Sequence, residues 1–247
     1  MSGHSKWASI KHKKAKVDAQ RGKIFTKLIK EISVAARSGG GDVSANARLR
    51  SAIQAAKDAN MPASNVERAI KKGTGELPGV NYEELAYEGY GPAGVAIYAE
   101  LLTDNKNRTA SEIKHVFSKN GGHLAEAGSV AWMFEKKGLC HVKKDAVLED
   151  RLMEIVLDAG AEDMNTESDF YEIITNSQTL EQVKAAILEE GITPELAEIT
   201  MIPKNTVSVA GKKAEQVLHL METLEDHDDV QHVYSNFDIS DEEMEKI

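Results

Sequence analysis

The chain of 247 residues has one cysteine, five prolines and two tryptophans, and what it lacks removes several classes of protein. A lone thiol, Cys140, forms no intramolecular disulfide, which separates the chain from stapled extracellular folds and fits a reducing, cytoplasmic setting. There is no Cys-x-x-Cys, and no His-x-x-x-His with a glutamate, so the common zinc patterns are missing. The phosphate-cradling Walker A loop is missing too. No apolar run approaches the ~20 residues of a membrane helix. None follows the N-terminal charges as a signal peptide would require. Aromatic residues make up only 5%, yet 41% hydrophobic and 28% charged residues are ordinary for a folded protein. The length suffices for one large or two to three small domains.

What the chain has in excess is charge, and the two signs are separated. Met1 to Lys72 carry 16 lysines and arginines against 5 acidic residues, a net +11. The remainder carries 14 against 35, a net −21, and the two parts give the −10 of the whole. Such a split draws polyanions to the basic end while the acidic body repels unspecific partners. The densest segment runs from Gly3 to Lys23. It sets Trp7, His4 and His12 among Lys6, Lys11, Lys13, Lys14, Lys16, Arg21 and Lys23. Cations for phosphates with an aromatic face for bases are the makings of a nucleic-acid contact. The competing readings are a solvated tail and a membrane-surface segment. The latter needs an apolar face, and Trp7, Ile10 and Val17 are too few to make one.

Periodicity predicts an α+β, multidomain chain. Residues 1–78 read as a basic unit of three helices. In the first, Asp18 stands as N-cap and Ile24, Phe25, Leu28, Ile29, Ile32 and Ala36 recur at the helical period until Gly39-Gly-Gly41. The second runs from Ser44 to Ala59 and stops at Asn60-Met-Pro62. The third opens on a Ser64–Glu67 capping box and closes at Gly73. Its outward cations are Arg68, Lys71 and Lys72; Lys27, Lys30, Arg48, Arg50 and Lys57 are expected to face outward from the other helices. After the linker 73–79, strands and helices alternate. Residues 79–137 supply strands and one helix, with Ser129–Phe134 as a strand and Lys136-Lys-Gly138 as a turn. Residues 138–203 have the order of a ferredoxin-like module. Residues 204–240 supply the helix and strand that 79–137 lack, which predicts two ferredoxin-like α/β modules, one inserted in the other. Residues 241–247 form an acidic tail.

Chemical motifs are sparse. Gly89-Tyr-Gly-Pro-Ala-Gly94 matches a dinucleotide fingerprint by letter only: a strand follows where the pyrophosphate site needs a helix, so a hairpin turn is the better reading. His227 and His232 flank Asp228-Asp229, an arrangement that an exposed acidic turn explains without a metal. Cys140, inside a strand, reads as a small buried apolar residue. Nothing calls for a metal, a cofactor or a small-molecule substrate, and an enzyme is disfavoured. A second candidate contact is the polar loop Asn105, Lys106, Asn107 and Arg108 at a helix N-terminus, where anions are favoured. Helix capping accounts for the same residues equally well.

Several long motifs carry a likeness. Gly3-His-Ser-Lys-Trp-Ala-Ser-Ile-Lys-His-Lys-Lys, Asp18-Ala-Gln-Arg-Gly-Lys-Ile-Phe, Asn60-Met-Pro, Tyr87-Glu-Gly-Tyr-Gly-Pro-Ala-Gly, Leu102-Thr-Asp-Asn-Lys-Asn-Arg-Thr and Val233-Tyr-Ser-Asn-Phe together resemble the YebC family over nearly the whole chain. The resemblance implies a helical domain followed by two α/β domains. It also implies a transcriptional regulator that binds DNA, with relatives described as mitochondrial translational activators and others linked to ribosomes. The expected partner is therefore nucleic acid, either DNA or ribosomal RNA.

Overall fold

A computed structural model describes residues 18–166 and 169–244. Three helices come first: α1 (Asp18–Gly39), α2 (Ala47–Asp58) and α3 (Ala63–Thr74). Their core joins Ile32, Ala35, Ala36, Leu49, Ala52, Ala56, Val66 and Ala69. Alanine at so many of these positions lets the helix axes approach closely. The same closeness explains Gly73, which is buried inside α3: a Cβ there would stand 2.4 Å from the Ser33 carbonyl oxygen of α1. The residue that ends α3 is Gly75, left-handed at φ 85°, and not Gly73 as expected. The expected capping box is also absent. Pro62 occupies the N-cap and, having no side-chain acceptor, makes no cap hydrogen bond, while its ring fixes φ at −58°. Asn46 caps α2, accepting from the Leu49 amide at 3.0 Å.

The first sheet contains β1 (Glu83–Tyr90), β2 (Ala96–Thr103), β3 (His123–Leu124) and, after a long excursion, β9 (Val230–Ser235). The spatial order is β3-β1-β2-β9, all neighbours antiparallel. Helices α4 (Lys106–Lys119) and α7 (Gly211–Glu225) cover one face. Their Ile113, Phe117, Val217 and Leu220 pack on Val95, Ile97, Ala99 and Val233. The Gly-x-Gly-x-x-Gly string is the β1–β2 turn, with Pro92–Gly94 as a single 3₁₀ turn, so the hairpin expectation holds.

The excursion builds the second sheet from β4 (Phe134–Lys143), β5 (Ala161–Thr166), β6 (Phe170–Asn176) and β7 (Leu196–Pro203), in order β5-β6-β4-β7. With α5 (Glu149–Asp158) and α6 (Leu180–Glu189) on one face, this is the ferredoxin-like βαββαβ arrangement. The first sheet has the same layout, except that the strand in the second position, β1, comes first in the chain, where its counterpart β6 comes third among the four. Two short strands, β8 (Val207–Ser208) and β10 (Phe237–Asp238), pair in parallel beside α7.

Two expectations fail here for physical reasons. The strand expected at Ser129–Phe134 is a loop as far as Met133, with a 3₁₀ turn at Ala131–Met133, and only Phe134 belongs to a strand, as the start of β4. The Glu88 carboxylate takes the N–H groups a ladder would use, those of Gly128 and Val130 at 2.6 Å and Ala131 at 2.8 Å. Lys136-Lys-Gly138 is not a turn but the middle of β4. Gly138 is there because a Cβ would meet the Thr175 hydroxyl at 2.2 Å, so glycine serves close packing. The acidic segment expected at 241–247 starts with helical structure. Asp241–Met244 is a short helix, α8, and its Glu243 carboxylate accepts from the Gly211 amide at 2.7 Å, placing negative charge at the N-terminus of α7.

Candidate nucleic-acid interface

Of the fourteen residues expected to contact nucleic acid through the basic domain, Lys6, Trp7, Lys11, His12, Lys13, Lys14 and Lys16 lie outside the described residues. Arg21 lies in α1 with its side chain outside the described part. The others divide according to whether the fold already uses their charge.

Helix α1 uses a whole stripe. Lys23, Lys27 and Lys30 recur at i, i+4 and i+7, so they share one face. That face meets the acidic turn between α7 and β9. Lys23 pairs with Asp226 at 3.3 Å, and the Lys27 ammonium donates to the Glu225 carbonyl. Lys30 is buried. It donates to Asp229 Oδ1 at 2.7 Å and to the Asp228 carbonyl at 2.9 Å, and lies 5.5 Å from the centre of the Tyr82 ring. Lys27 and Lys30 therefore do not face outward as expected. The signal was present in the sequence as the matching acidic run Glu225-Asp-His-Asp-Asp229.

Asp229 is the centre of this join. Its buried carboxylate also accepts from Arg108 Nη2 and from the Thr109 hydroxyl, each at 2.7 Å. Burial pushes the carboxyl up, but the hydrogen bonds from Lys30, Thr109 and Arg108 outweigh it and hold Asp229 well below the usual carboxylate range. The second candidate loop is thereby explained by structure. Asn105 is the N-cap of α4, accepting from the Arg108 amide at 3.1 Å. Lys106 pairs with Glu83, and Arg108 with Asp104 at 3.0 Å as well as with Asp229. Asn107 is exposed, and its carbonyl accepts from the Ser111 hydroxyl at 3.0 Å.

Arg48 holds Glu31 and Glu84, each at 2.7 Å, and Arg50 holds the Val43 and Ser44 carbonyls of its own loop. Arg68, Lys71 and Lys72 remain, all on α3, with Lys57 on α2. Their side chains are exposed and make no ion pair or hydrogen bond among the described residues. Val66, Ala69 and Gly73 face inward, so Asn65, Arg68 and Lys72 form an outward stripe at i, i+3 and i+7. The link from α2 to α3 is Ala59–Pro62, with Asn60 left-handed at φ 57°. A short turn of this length is the spacing of helix-turn-helix units.

Among the described residues, one group has metal-ligand atoms near each other: Glu112, His227 and Asp229. Lys30 and Arg108 already occupy both Asp229 oxygens. His227 Nδ1 accepts from the Asp229 amide at 3.1 Å, which leaves Nε2 to donate to Glu112 at 3.0 Å. The ligand atoms of this cluster are thus taken up by hydrogen bonds and ion pairs within the protein. His232 stacks instead on Tyr234, ring centres 6.0 Å apart. Cys140 is fully buried, and burial pushes its thiol up to about 12. Among the described residues no helix is long and apolar enough to cross a membrane.

Comparison with known proteins follows the same division. A family model for the TACO1/YebC N-terminal domain matches residues 5–76, and one for the TACO1/YebC second and third domain matches residues 82–237. A protein of Syntrophobacter fumaroxidans called a probable transcriptional regulatory protein is 60% identical over 248 residues, covering 100% of both chains. One of the same description from Desulfatibacillum aliphaticivorans is 61% identical over 242 residues, 98% of each. The crystal structure of a conserved hypothetical protein from Aquifex aeolicus superposes with a TM-score of 0.83 at 50% identity, covering 95% of this chain and 97% of that one.

Proposed function

The chain belongs to the TACO1/YebC family, and from that premise we propose that it regulates gene expression by binding nucleic acid through its basic helical domain, acting as a binding protein and not as an enzyme. One observation carries the reading: the fold engages the α1 stripe, Arg48 and Arg50, and among the described residues of the helical domain the cations left unpaired cluster on α3 and the adjoining Lys57. Helix α3 also opens without a side-chain cap, so its first-turn N–H groups add to the attraction for phosphate. The names of the relatives, probable transcriptional regulatory proteins, agree with duplex DNA as the partner. On DNA, the stripe of Asn65, Arg68 and Lys72 enters the major groove and Lys57 and Lys71 contact the backbone.

A second reading rests on residues 1–16, where Lys6, Lys11, Lys13, Lys14 and Lys16 accompany Trp7. A mixture of cations and an indole favours RNA, whose unstacked bases accept stacking, and it makes the chain a ribosome-associated translation factor.

Anisotropy titrations of labelled duplex DNA and single-stranded RNA against salt test both readings. With six to eight phosphate contacts, log affinity for duplex falls with log salt at a slope of about −5 to −7. The triple variant Arg68→Glu, Lys71→Glu, Lys72→Glu weakens every sequence and flattens the slope by about 3. A slope near zero, or one that the triple variant leaves unchanged, refutes the role of α3. Trp7→Ala impairs RNA more than DNA if the second reading holds.

A further inference from the structure

The exposed apolar side chains of the inserted module are concentrated on its helical face. Leu148 is 80% exposed, Leu157 49%, Leu188 47% and Met153 37%. Leu148 is the N-cap of α5, Met153 and Leu157 stand one turn apart on α5, and Leu188 lies on α6. Between the helices runs an open trough of about 640 Å³, with Ile155, Leu157 and Ala186 in its apolar lining. A shallower concavity continues it past Ala159, Gln182 and Ala185.

The walls are acidic. Glu154 and Asp158 line one side, Glu189 and Glu190 the other. Arg151 pairs with Glu154 at 3.4 Å and Glu190 at 3.0 Å, bridging the helices at one end. Asp158 and Glu189 keep unpaired charge among the described residues. The two helices together hold six acidic residues against two basic ones. This charge repels nucleic acid, anionic lipid and the same face of a second copy. It attracts a segment with lysines or arginines flanking an apolar stripe.

We infer that the trough between α5 and α6 is the docking site for a cationic amphipathic helix of a partner protein. The apolar side of that helix covers Leu157, Ile155 and Ala186, and its cations meet Asp158 and Glu189. The inference is independent of which nucleic acid the basic domain takes.

The test uses the full chain and a fluorescein-labelled 14-residue Leu/Lys peptide with leucines at i, i+3, i+4 and i+7. A peptide of the same composition, with its order scrambled so that it has no apolar face, is the control. The patterned peptide binds about tenfold or more tightly than the scrambled one. Leu157→Ser weakens it about tenfold, and Asp158→Lys with Glu189→Lys weakens it at low salt. All three sites are exposed, so the variants keep the wild-type circular dichroism and nucleic-acid affinity. Equal binding of both peptides, or a Leu157 variant that binds like wild type, overturns the proposal. Two other occupants are readable in the same experiments and overturn it as well. Deletion of residues 1–16 that strengthens peptide binding assigns the trough to the chain's own arm. A dimer that the Leu157 variant dissolves assigns it to a second copy.

Discussion

Asp229→Asn removes the one negative charge that faces two cations where α1 meets the first sheet. Lys30 and Arg108 each lie 2.7 Å from the carboxylate, and the side chains of Lys30 and Asp229 are only 9% and 4% exposed. Arg108, at 43% exposure, can turn to solvent and keep Asp104; Lys30 cannot. The substitution therefore strands a buried ammonium, a change that costs about 3–5 kcal/mol. In a chain of this size that lowers the melting temperature of the affected unit by roughly 6–20 °C. Urea unfolding followed by circular dichroism measures the cost, and the double variant with Lys30→Met measures its cause. With the ammonium also gone, about half of the loss returns, because no uncompensated charge remains. The pH dependence has a definite sign. The folded carboxyl is depressed, so its contribution is complete above the ordinary value of 3.8 and fades as pH falls below it. The gap between wild type and Asp229→Asn narrows over that acid range. A cost below about 1 kcal/mol, a gap that ignores pH, or a double variant as unstable as the sum of the singles would refute the role given to Asp229.

Glu88→Gln replaces a carboxylate that serves three amides with a group that serves fewer, and costs about 2–3 kcal/mol. Hydrogen exchange reports it first at Gly128, Val130 and Ala131, while α3 is unaffected. Gly138→Ala destabilises by about 1–3 kcal/mol or more because its methyl group overlaps the Thr175 hydroxyl; unchanged denaturation would show that β4 and β6 can separate there. Cys140 stays unreacted with iodoacetamide at pH 8 in the folded protein and reacts in denaturant; rapid native alkylation would contradict its burial.

How much of this was legible in the sequence depended on where the deciding contact lay. Helix periods were local, so α1, α4 and α7 could be read from Ile32, Ile113 and Val217. The insertion could be read from an incomplete first module and a complete second one. Glycines misled where packing, not a turn, required them. Nothing adjacent to Gly73 or Gly138 announces that Ser33 or Thr175 stands against it. Ser129–Phe134 has strand composition, and only the carboxylate of Glu88, some forty residues away, turns it into a loop. For the cations, sign was legible and direction was not. Lys30 and Arg68 look alike in the sequence, and only the acidic run at 225–229 distinguishes them.

The α1 stripe has a mechanical consequence. Twenty-two residues make α1 a rod about 33 Å long, packed along α3 at Gly73 and fastened to Asp229, the residue just before β9. A load applied at α3 is therefore carried through a stiff strut into the first sheet and is not absorbed by a slack tether. Whatever α3 grips, the first sheet is presented at a set bearing from it, as the jib of a crane is set by its mast.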